Sequence, residues 1–449
     1  MRVKFWQASP IILICCLLVL FLFPGNTWAF LDFTRSIGPD ASSMGRGGTT
    51  IAIGEDPSSM EINPALISET ENYAVQMNIM PIFPSFEFEY DGTGGARYKS
   101  KDKDRILLGA GMSFAHKIKD SPWSWGLSFS APDAIATDYT IQSKFFGPTN
   151  ASSELLHFRF GPAGAYQITK ELSVGMRFGI DYGSLDLAIP LGAAFIDIGQ
   201  CDGFGVSGAL GLFYKPRTNL SFGLYYESPT AMQDLKSRGG DGYIGLATPG
   251  GNMYFSNLDV AVEDQQFPQN FGIGVAYSPI PALRISSDLK YIAWWNDWKE
   301  LTLKFSGHGA DDMKNLGMPT TIKVPINIDN QWTFGLGAEY FFADIYKCSL
   351  GYHYNDNGMS DNYLLPYVPA EVEHTLTFGF SVRPVKSVKI ALAYMYCIMD
   401  DSSASSAHGY DQSLEKQFGM PPGSLQSELN GSETKYNAQG VQISASFYW

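Results

Sequence analysis

The chain has 449 residues, of which 45% are hydrophobic and only 17% are charged, and its formal net charge is −14. The charged fraction is low against the roughly 25% of typical soluble domains. An acidic chain that has no basic patch lacks the charges that neutralise phosphates, which argues against nucleic acid as a partner.

The first 29 residues have the pattern of a secretory signal sequence. Arg2 and Lys4 precede the apolar run Ile11–Phe23, and Thr27-Trp28-Ala29 forms a small-x-small cleavage site. The run is shorter than the roughly 18 residues that a membrane-spanning helix needs. We therefore expect an exported chain whose mature part begins at Phe30. The mature part contains three cysteines. They are too few for a disulfide framework, but they allow one disulfide bond.

The segment Phe30–Ser68 is rich in small residues and lacks the alternation of a strand. It carries signals for two short helical turns, because Asp56 and Asn63 can each N-cap a turn that opens with the following proline. Two interpretations are open: a flexible arm, or a plug enclosed by the rest of the chain.

From about Asn72 onward, apolar and polar residues alternate repeatedly. In Leu172–Tyr182 the even-numbered positions are apolar, and the odd-numbered positions are small or polar. Period 2 indicates strands with one apolar face. Many of these segments run far past the usual five or six residues, which suits strands that cross a membrane at a tilt.

About fourteen strands are predicted, and their connections alternate between short and long, as in outer-membrane barrels. The strands lie near residues 73–90, 105–117, 123–141, 154–168, 172–190, 202–215, 219–237, 256–278, 282–304, 330–343, 347–357, 372–383, 387–400 and 438–449. Long loops are predicted near 91–104, 142–153, 191–201, 238–255, 305–329, 358–371 and 401–437. The tryptophans near strand ends predict interfacial girdles: Trp123, Trp125, Trp294, Trp295, Trp298, Trp332 and Trp449. The fold class is therefore an all-β membrane protein, a 14-stranded antiparallel barrel in the bacterial outer membrane.

The chain resembles the FadL family of outer-membrane transporters for long-chain fatty acids and other hydrophobic compounds. The resemblance rests on Ser43-Met44-Gly45-Arg46, Ile51-Ala52, Glu61-Ile62-Asn63-Pro64-Ala65-Leu66, Phe129–Tyr139, Leu289–Trp294 and the aromatic last strand. It implies three parts: a signal peptide (1–29), an N-terminal helical hatch that plugs the barrel (30–70), and the barrel itself (71–449). The expected gate residues are Phe30, Leu31, Arg46, Asn63, Pro64 and Ala65.

The resemblance also implies passive transport of a hydrophobic ligand, with a side exit into the membrane at a kink in the third strand. Pro132, Asp133 and Ala134 stand at the matching place. A proline removes a ladder hydrogen bond and is excluded from regular central strands. The alternative is a bulge that has no role in transport.

Alternation places several charged residues on inward faces of the barrel. Arg159, Arg177, Arg284 and Lys290 are candidate anchors for a ligand carboxylate. The competing interpretation, which we favour for any single residue, is that they form internal ion pairs or hold the hatch.

We predict no enzyme, no cofactor and no metal site, because the histidines have no metal-site spacing and no GxSxG or CxxC motif occurs. The expected partners are a hydrophobic small molecule, which is a fatty acid or a hydrocarbon, outer-membrane lipid and the barrel-assembly machinery. A monomer is expected. The alternative function is a barrel-anchored surface adhesin or receptor that acts through its external loops. A general polar porin is a third option, but a permanently plugged lumen could not conduct freely as a porin does.

Overall fold

The computed structural model describes residues 35–70, 72–91, 96–103, 106–248, 250–294, 298–342, 345–356, 358, 372–398, 402–405, 408–424 and 431–449. The predicted signal sequence, residues 1–29, and the predicted gate residues Phe30 and Leu31 lie outside the described residues.

Fourteen antiparallel strands of the described chain close into a barrel, which confirms the predicted fold class. They are β1 (Tyr73–Asp91), β3 (Leu107–Lys117), β4 (Trp123–Ser143), β5 (Gly147–Gln167), β6 (Leu172–Leu191), β7 (Ala194–Arg217), β8 (Leu220–Glu227), β13 (Gln269–Ile280), β14 (Leu283–Ala293), β17 (Gln331–Phe342), β18 (Tyr346–Asn355), β19 (His374–Val385), β20 (Val388–Ile398) and β22 (Ser432–Tyr448). The barrel closes where β22 pairs with β1, with Ala74 opposite Tyr448. Short turns join the strands at one end, here called the turn end. At the other end, the loop end, longer segments join most of the strands, and short turns join β4 to β5 and β6 to β7.

The alternation of side chains along β6 shows how the sequence produces this wall. Met176, Phe178 and Ile180 are exposed on the outward face, whereas Arg177 and Asp181 are buried inside. An apolar outward face suits the hydrocarbon of a membrane, and polar groups are confined to the interior. The predicted assignment of faces is therefore correct for this strand.

Two of the predicted long loops are wrong. Residues 142–153 lie almost wholly in β4 and β5, and residues 191–201 lie mostly in β7. Only Gly192 and Ala193 separate β6 from β7, and Gly192 has φ +61°, a value that favours glycine. The pairing of β6 with β7 extends this far because side chains such as Leu187, Ile189 and Ile196 are buried together in one apolar cluster.

Three other predicted strands are too long. The barrel strands β8, β13 and β14 end or begin well inside the predicted ranges, and the remaining residues form separate strands at the loop end. The additional strands are β2 (Arg97–Lys101), β9 (Ala231–Met232), β10 (Leu235–Ser237), β11 (Gly242–Thr248), β12 (Gly251–Glu263), β15 (Glu300–Ser306), β16 (Thr321–Pro325) and β21 (Ser402–Ser405). No helix of the described chain is long and apolar enough to cross a membrane.

The largest apolar core lies at the loop end of the barrel. There β11 pairs with β7 and β12, and β12 pairs with β15, which extends the wall into a cap. Members of this core include Ile141, Leu187, Ile196, Ile244, Phe255, Val260, Leu303, Phe305 and Ile322. Cys201 is buried in the same core, and the three described cysteines are all free.

Of the predicted girdle tryptophans, Trp295 lies outside the described residues, and the other six divide into two groups, so the girdle prediction is only partly correct. Trp123, Trp125, Trp332 and Trp449 are exposed near strand ends. Trp294 and Trp298 are instead buried in the loop-end core, where their rings meet edge to face at 5.5 Å. A strand end that turns inward under the cap offers indole rings a packed interior instead of an interface.

Candidate functional site

Residues 35–70, here called the plug segment, lie inside the barrel as a series of short helical turns. Helix α1 (Ala41–Met44) is capped by Asp40, whose carboxylate accepts a hydrogen bond from the Ser43 amide at 2.8 Å. Most of the segment is buried, and Met44 is fully enclosed. A segment this short has no core of its own, so the barrel wall supplies the enclosure.

Two 3-10 helices, Pro57–Glu61 and Pro64–Glu69, begin at the prolines that the sequence marks as helix starts. Asn63 caps the second, because its Oδ1 accepts a hydrogen bond from the Ala65 amide at 3.1 Å. Asp56 occupies the N-cap position of the first but forms no side-chain cap. Its carboxylate binds barrel residues instead, because a buried cation there offers a stronger partner than a backbone amide.

The Asn63-Pro64-Ala65 corner rests directly on the backbone of the barrel wall. The Asn63 Nδ2 donates hydrogen bonds to the Leu212 carbonyl at 3.0 Å and to the Ile51 carbonyl of the plug segment at 2.9 Å. A Cβ at Gly211 would lie 2.0 Å from the Asn63 Oδ1. Only a wall without side chains here admits so close an approach.

Arg46 lies in a second backbone contact between the plug segment and the wall. The Arg46 Nε donates to the Thr49 carbonyl at 2.5 Å, and its Nη1 lies 3.6 Å from the Glu339 carboxylate. Beside it, a Cβ at Gly351 of β18 would lie 1.9 Å from the Gly47 nitrogen. Gly47 itself has φ +69°. Arg46 is therefore packed against the wall, not directed into open space.

Toward the turn end, two carboxylates of the plug segment meet three cations of the wall. Glu55 lies 2.5 Å from Arg284 and 2.9 Å from Lys347, measured between oxygen and nitrogen. Asp56 lies 2.6 Å from the Lys389 Nζ. Burial by itself raises the pKa of Glu55, but Arg284, Lys347 and Lys389 outweigh it and hold that pKa well below its usual range. These ion pairs attach the plug segment to the wall.

A second ion-pair network lies higher in the lumen, between the plug segment and strands β4 to β8. The Arg177 Nη1 donates to the Glu61 carboxylate at 2.5 Å. The Arg159 Nε lies 2.7 Å from Asp181, and its Nη1 lies 2.6 Å from Glu227. Buried charges in proteins are generally paired in this way because an isolated one is costly to desolvate.

Pro132 lies in a one-residue bulge of β4. Ser130 faces Arg159 on β5, and the next aligned pair is Asp133 with His157. Between these two pairs the chain advances three residues along β4 but only two along β5, so β4 contains one extra residue. Proline is tolerated at such a place because no ladder hydrogen bond is required of it. Ala134, beyond the bulge, is buried in the loop-end core.

On its other side, β4 separates from β3 at the same level. Within the described residues, the pairs between these strands run from Lys117 with Ser124 up to Met112 with Phe129, and stop there. Continuing this register would set Gly109 opposite Pro132, which has no N–H to donate. The wall therefore contains a gap between the two strands beside the bulge.

An internal cavity of about 100 Å³ lies between the plug segment and this gap. Both edges of the gap line it, through Gly109, Gly111 and Pro132 among others. Arg35 and Lys290 also line it. The cavity thus connects the plug segment, the gap and charged lumen residues in one place.

The four cations predicted to anchor a ligand carboxylate have different surroundings. Arg177 and Arg284 are both engaged with carboxylates of the plug segment. Arg159 is bound to Asp181 and Glu227, but its Nη2 has no hydrogen-bond partner among the described residues. Lys290 is buried in the cavity wall and forms no ion pair within 4 Å with any described residue. Its role as an anchor stays a prediction, as does that of Arg159.

Several residues of this site had no individual signal in the sequence. Arg35 lies outside any motif of the sequence, yet its Nε lies 3.0 Å from Asp133 and its Nη1 lies 3.2 Å from Glu227. Period 2 indicates an inward Glu227 and an inward Glu339, but alternation cannot show which cation each one meets. In the described part of the chain, no group of three or more potential ligands could hold a metal ion.

Comparisons with known proteins agree with this architecture. The family model described as "Outer membrane protein transport protein (OMPP1/FadL/TodX)" matches residues 40–447. The structure of the toluene transporter TbuX of Ralstonia pickettii matches with a TM-score of 0.69 and 18% identity, over 92% of this chain and 98% of that chain. A search of curated proteins found no match.

Two further solved structures are similar to the same extent. The toluene transporter TodX of Pseudomonas putida matches with a TM-score of 0.71 and 17% identity, over 92% of this chain and 98% of that one. A FadL homologue of Pseudomonas aeruginosa matches with a TM-score of 0.70 and 15% identity, over 92% and 99%. At these identities the structures show a shared fold, and the family model covers nearly the whole barrel. The chain therefore belongs to the OMPP1/FadL/TodX family of bacterial outer-membrane proteins that transport hydrophobic compounds.

Proposed function

We propose that hydrophobic molecules enter this barrel from its loop end, reach the cavity beside the plug segment, and leave sideways through the gap between β3 and β4. The observation that supports this route is the coincidence of bulge, gap and cavity at Pro132. Transport is passive diffusion down a gradient, and the chain is a channel and not an enzyme.

A sideways exit suits the physical chemistry of an apolar cargo. Moving apolar surface into water is unfavourable, so such a molecule leaves the lumen more readily into hydrocarbon than into an aqueous compartment. Unpaired strand edges are tolerated at membrane depth only where they line a cavity or are buried in protein. The edges of β3 and β4 line the cavity here.

The cavity must enlarge before it can hold a ligand. An engineered protein cavity of about 150 Å³ holds one benzene molecule, and the cavity here measures about 100 Å³. A single aromatic ring requires a small displacement, and a long acyl chain requires a larger one. We propose that the N-terminal end of the plug segment moves, with Phe30 and Leu31 preceding it, while Arg46 and the Asn63-Pro64-Ala65 corner stay on the wall.

We propose long-chain fatty acids or aromatic and aliphatic hydrocarbons as the ligand class. The solved relatives TbuX and TodX are described as toluene transporters. The buried Lys290 and the unpartnered Nη2 of Arg159 favour a ligand with a carboxylate, because a buried cation gains most from an anionic partner. The protein is expected to act as a monomer in outer-membrane lipid after insertion by the barrel-assembly machinery.

Replacing Pro132 tests the lateral route. In Pro132→Val the backbone regains an N–H, which favours regular pairing between β3 and β4 and so narrows the gap. We expect slower uptake of radiolabelled fatty acid and of toluene by cells, with unchanged amounts of heat-modifiable folded barrel.

The matched control is Pro162→Val, a proline in β5 whose neighbours keep the regular register with β4. It should leave uptake unchanged. If Pro132→Val folds normally and transports both ligands at the wild-type rate, the lateral route through this gap is wrong.

A further inference from the structure

His157 is a buried histidine of β5 that lies between two carboxylates. Its Nδ1 lies 2.7 Å from Asp133 and its Nε2 lies 2.7 Å from Asp181, and its ring has no exposed surface. The ring also stacks on Phe267, with centroids 3.8 Å apart and planes 10° apart. Three neighbours thus define both the position and the plane of the imidazole.

The two short contacts determine how many protons this group of three side chains holds. A neutral imidazole has a single N–H, so it donates to one carboxylate and turns a lone pair toward the other. Both contacts are hydrogen bonds only when a second proton lies between the ring and its neighbours. The surrounding network contains three arginines and four carboxylates, one negative charge in excess: Arg35, Arg159, Arg177, Asp133, Asp181, Glu227 and Glu61.

Asp133 links this histidine to the plug segment. One carboxylate oxygen of Asp133 contacts His157, and the other lies 3.0 Å from the Arg35 Nε. The backbone of Arg35 also forms an isolated antiparallel bridge with Asp133. Arg35 therefore lies against β4 directly beside the Pro132 bulge and lines the cavity.

We propose that His157 is a positioning residue of the transport route. By binding Asp181 on one side and Asp133 on the other, it sets the Asp133 carboxylate where it holds Arg35, and so keeps Arg35 of the plug segment beside the gap. The effect of His157 on transport rests on the proposed lateral route. The position of residue 35 can be measured without any ligand.

Spin-label distances test the inference. Labels are placed at Ser36→Cys and at Lys170→Cys in the exposed turn between β5 and β6, with the partly exposed Cys348 replaced by serine. The otherwise unchanged chain should give one narrow distance distribution in lipid. His157→Leu removes both ring nitrogens, and we expect it to replace the narrow peak with a broad distribution. Fatty-acid uptake should change in the same variant.

His353→Leu is the matched control, because His353 is also buried in the barrel wall and also contacts the plug segment, at the Gly47 carbonyl. It should keep the narrow distribution. The double variant Arg35→Met with His157→Leu should be no broader than Arg35→Met alone, because His157 acts through the Asp133–Arg35 contact. A purely structural role would give additive broadening.

A narrow, wild-type distribution in His157→Leu would overturn the inference. Where His157→Leu does not assemble, His157→Gln serves in its place. Its amide donates to one carboxylate but turns a carbonyl toward the other, so the same broadening is expected. If the distances change but uptake does not, the positioning role stands and the lateral route fails; the reverse pattern contradicts the positioning role.

Discussion

The cationic side chains of the lumen differ in whether they already form ion pairs within the protein. Arg177 and Arg284 bind carboxylates of the plug segment, so a ligand could reach them only by displacing a buried ion pair. Lys290 needs no such displacement, because it lines the cavity without an ion pair among the described residues. Asp288, two residues before it on the same strand, interacts electrostatically with Lys290, but its Oδ2 already accepts hydrogen bonds from the amides of Thr50 and Ile51.

Replacing Lys290 separates the two ligand classes. Lys290→Met keeps the length and apolar stem of the side chain but removes its charge. A hydrogen bond to a charged group contributes about 1.5–3 kcal/mol, so binding of a fatty acid should weaken by roughly 10-fold to 100-fold. Toluene carries no charge, and its binding should be unchanged. Isothermal titration of the purified barrel measures both.

Lys290→Arg is the control, because it keeps the positive charge in the cavity and should keep most of the fatty-acid affinity. Equal affinity for the fatty acid in wild type and Lys290→Met would remove Lys290 as an anchor and leave Arg159 as the remaining candidate.

At the scale of elements, the plug segment is attached to the wall by backbone contacts and by buried carboxylates. For Asp56, burial raises the pKa and Lys389 lowers it, with a net lowering. Burial likewise raises the pKa of Glu55, and the neighbouring cations Arg284, Lys347 and Lys389 lower it, with a net lowering. A carboxylate with a lower pKa in the folded state stabilises that state fully above its unfolded pKa near 4. The stabilisation is lost as the pH falls through the folded pKa.

Lys389→Met should therefore destabilise the protein in a pH-dependent way. Removing one partner of a buried ion pair costs about 3–5 kcal/mol. We expect the variant to unfold at a lower temperature than wild type at pH 7, as judged by heat modifiability on gels. The difference should shrink as the pH falls below 4, because Asp56 and Glu55 become protonated in both proteins.

Lys323→Met provides the comparison, since the Lys323 pair with Glu300 is exposed and such pairs contribute about 0–1 kcal/mol. An Lys389→Met protein with the same midpoint as wild type at pH 7 would show that the backbone contacts alone hold the plug segment.

At the scale of the whole molecule, the lumen is filled at two levels. The plug segment occupies the part nearer the turn end, and the apolar core of the cap occupies the loop end. The cavity between them measures about 100 Å³. A filled lumen admits an apolar molecule by local displacement but offers no path to a hydrated ion.

We therefore expect very low ion conductance from the wild-type protein in planar bilayers. A variant that lacks residues 40–70 should show a modest increase, because the plug segment would no longer fill the lumen while the apolar core of the cap would still narrow its loop end. Large, stable conductance steps from the wild-type protein would favour a general porin, and that result does not depend on whether the deletion variant assembles.

The sequence alone determined the barrel and its strand count, because period-2 alternation over long segments depends only on local geometry and on which face meets lipid. It also indicated the caps of the plug segment, and Asn63 forms the expected one. It could not place the strands of the cap, since β11, β12 and β15 pair with strands that are distant in sequence.

Only the tertiary structure decided what the polar residues of the lumen do. Alternation predicts that Arg159, Arg177, Arg284 and Lys290 point inward. The carboxylates that pair with the three arginines lie on other strands or in the plug segment, far away in sequence, whereas Lys290 forms no ion pair with any described residue. The same holds for Asp56, whose local signal for a helix cap is overridden by Lys389. Electrostatic pairing depends on distances that folding creates, so which cations are already paired and which remain available was visible only in the folded barrel.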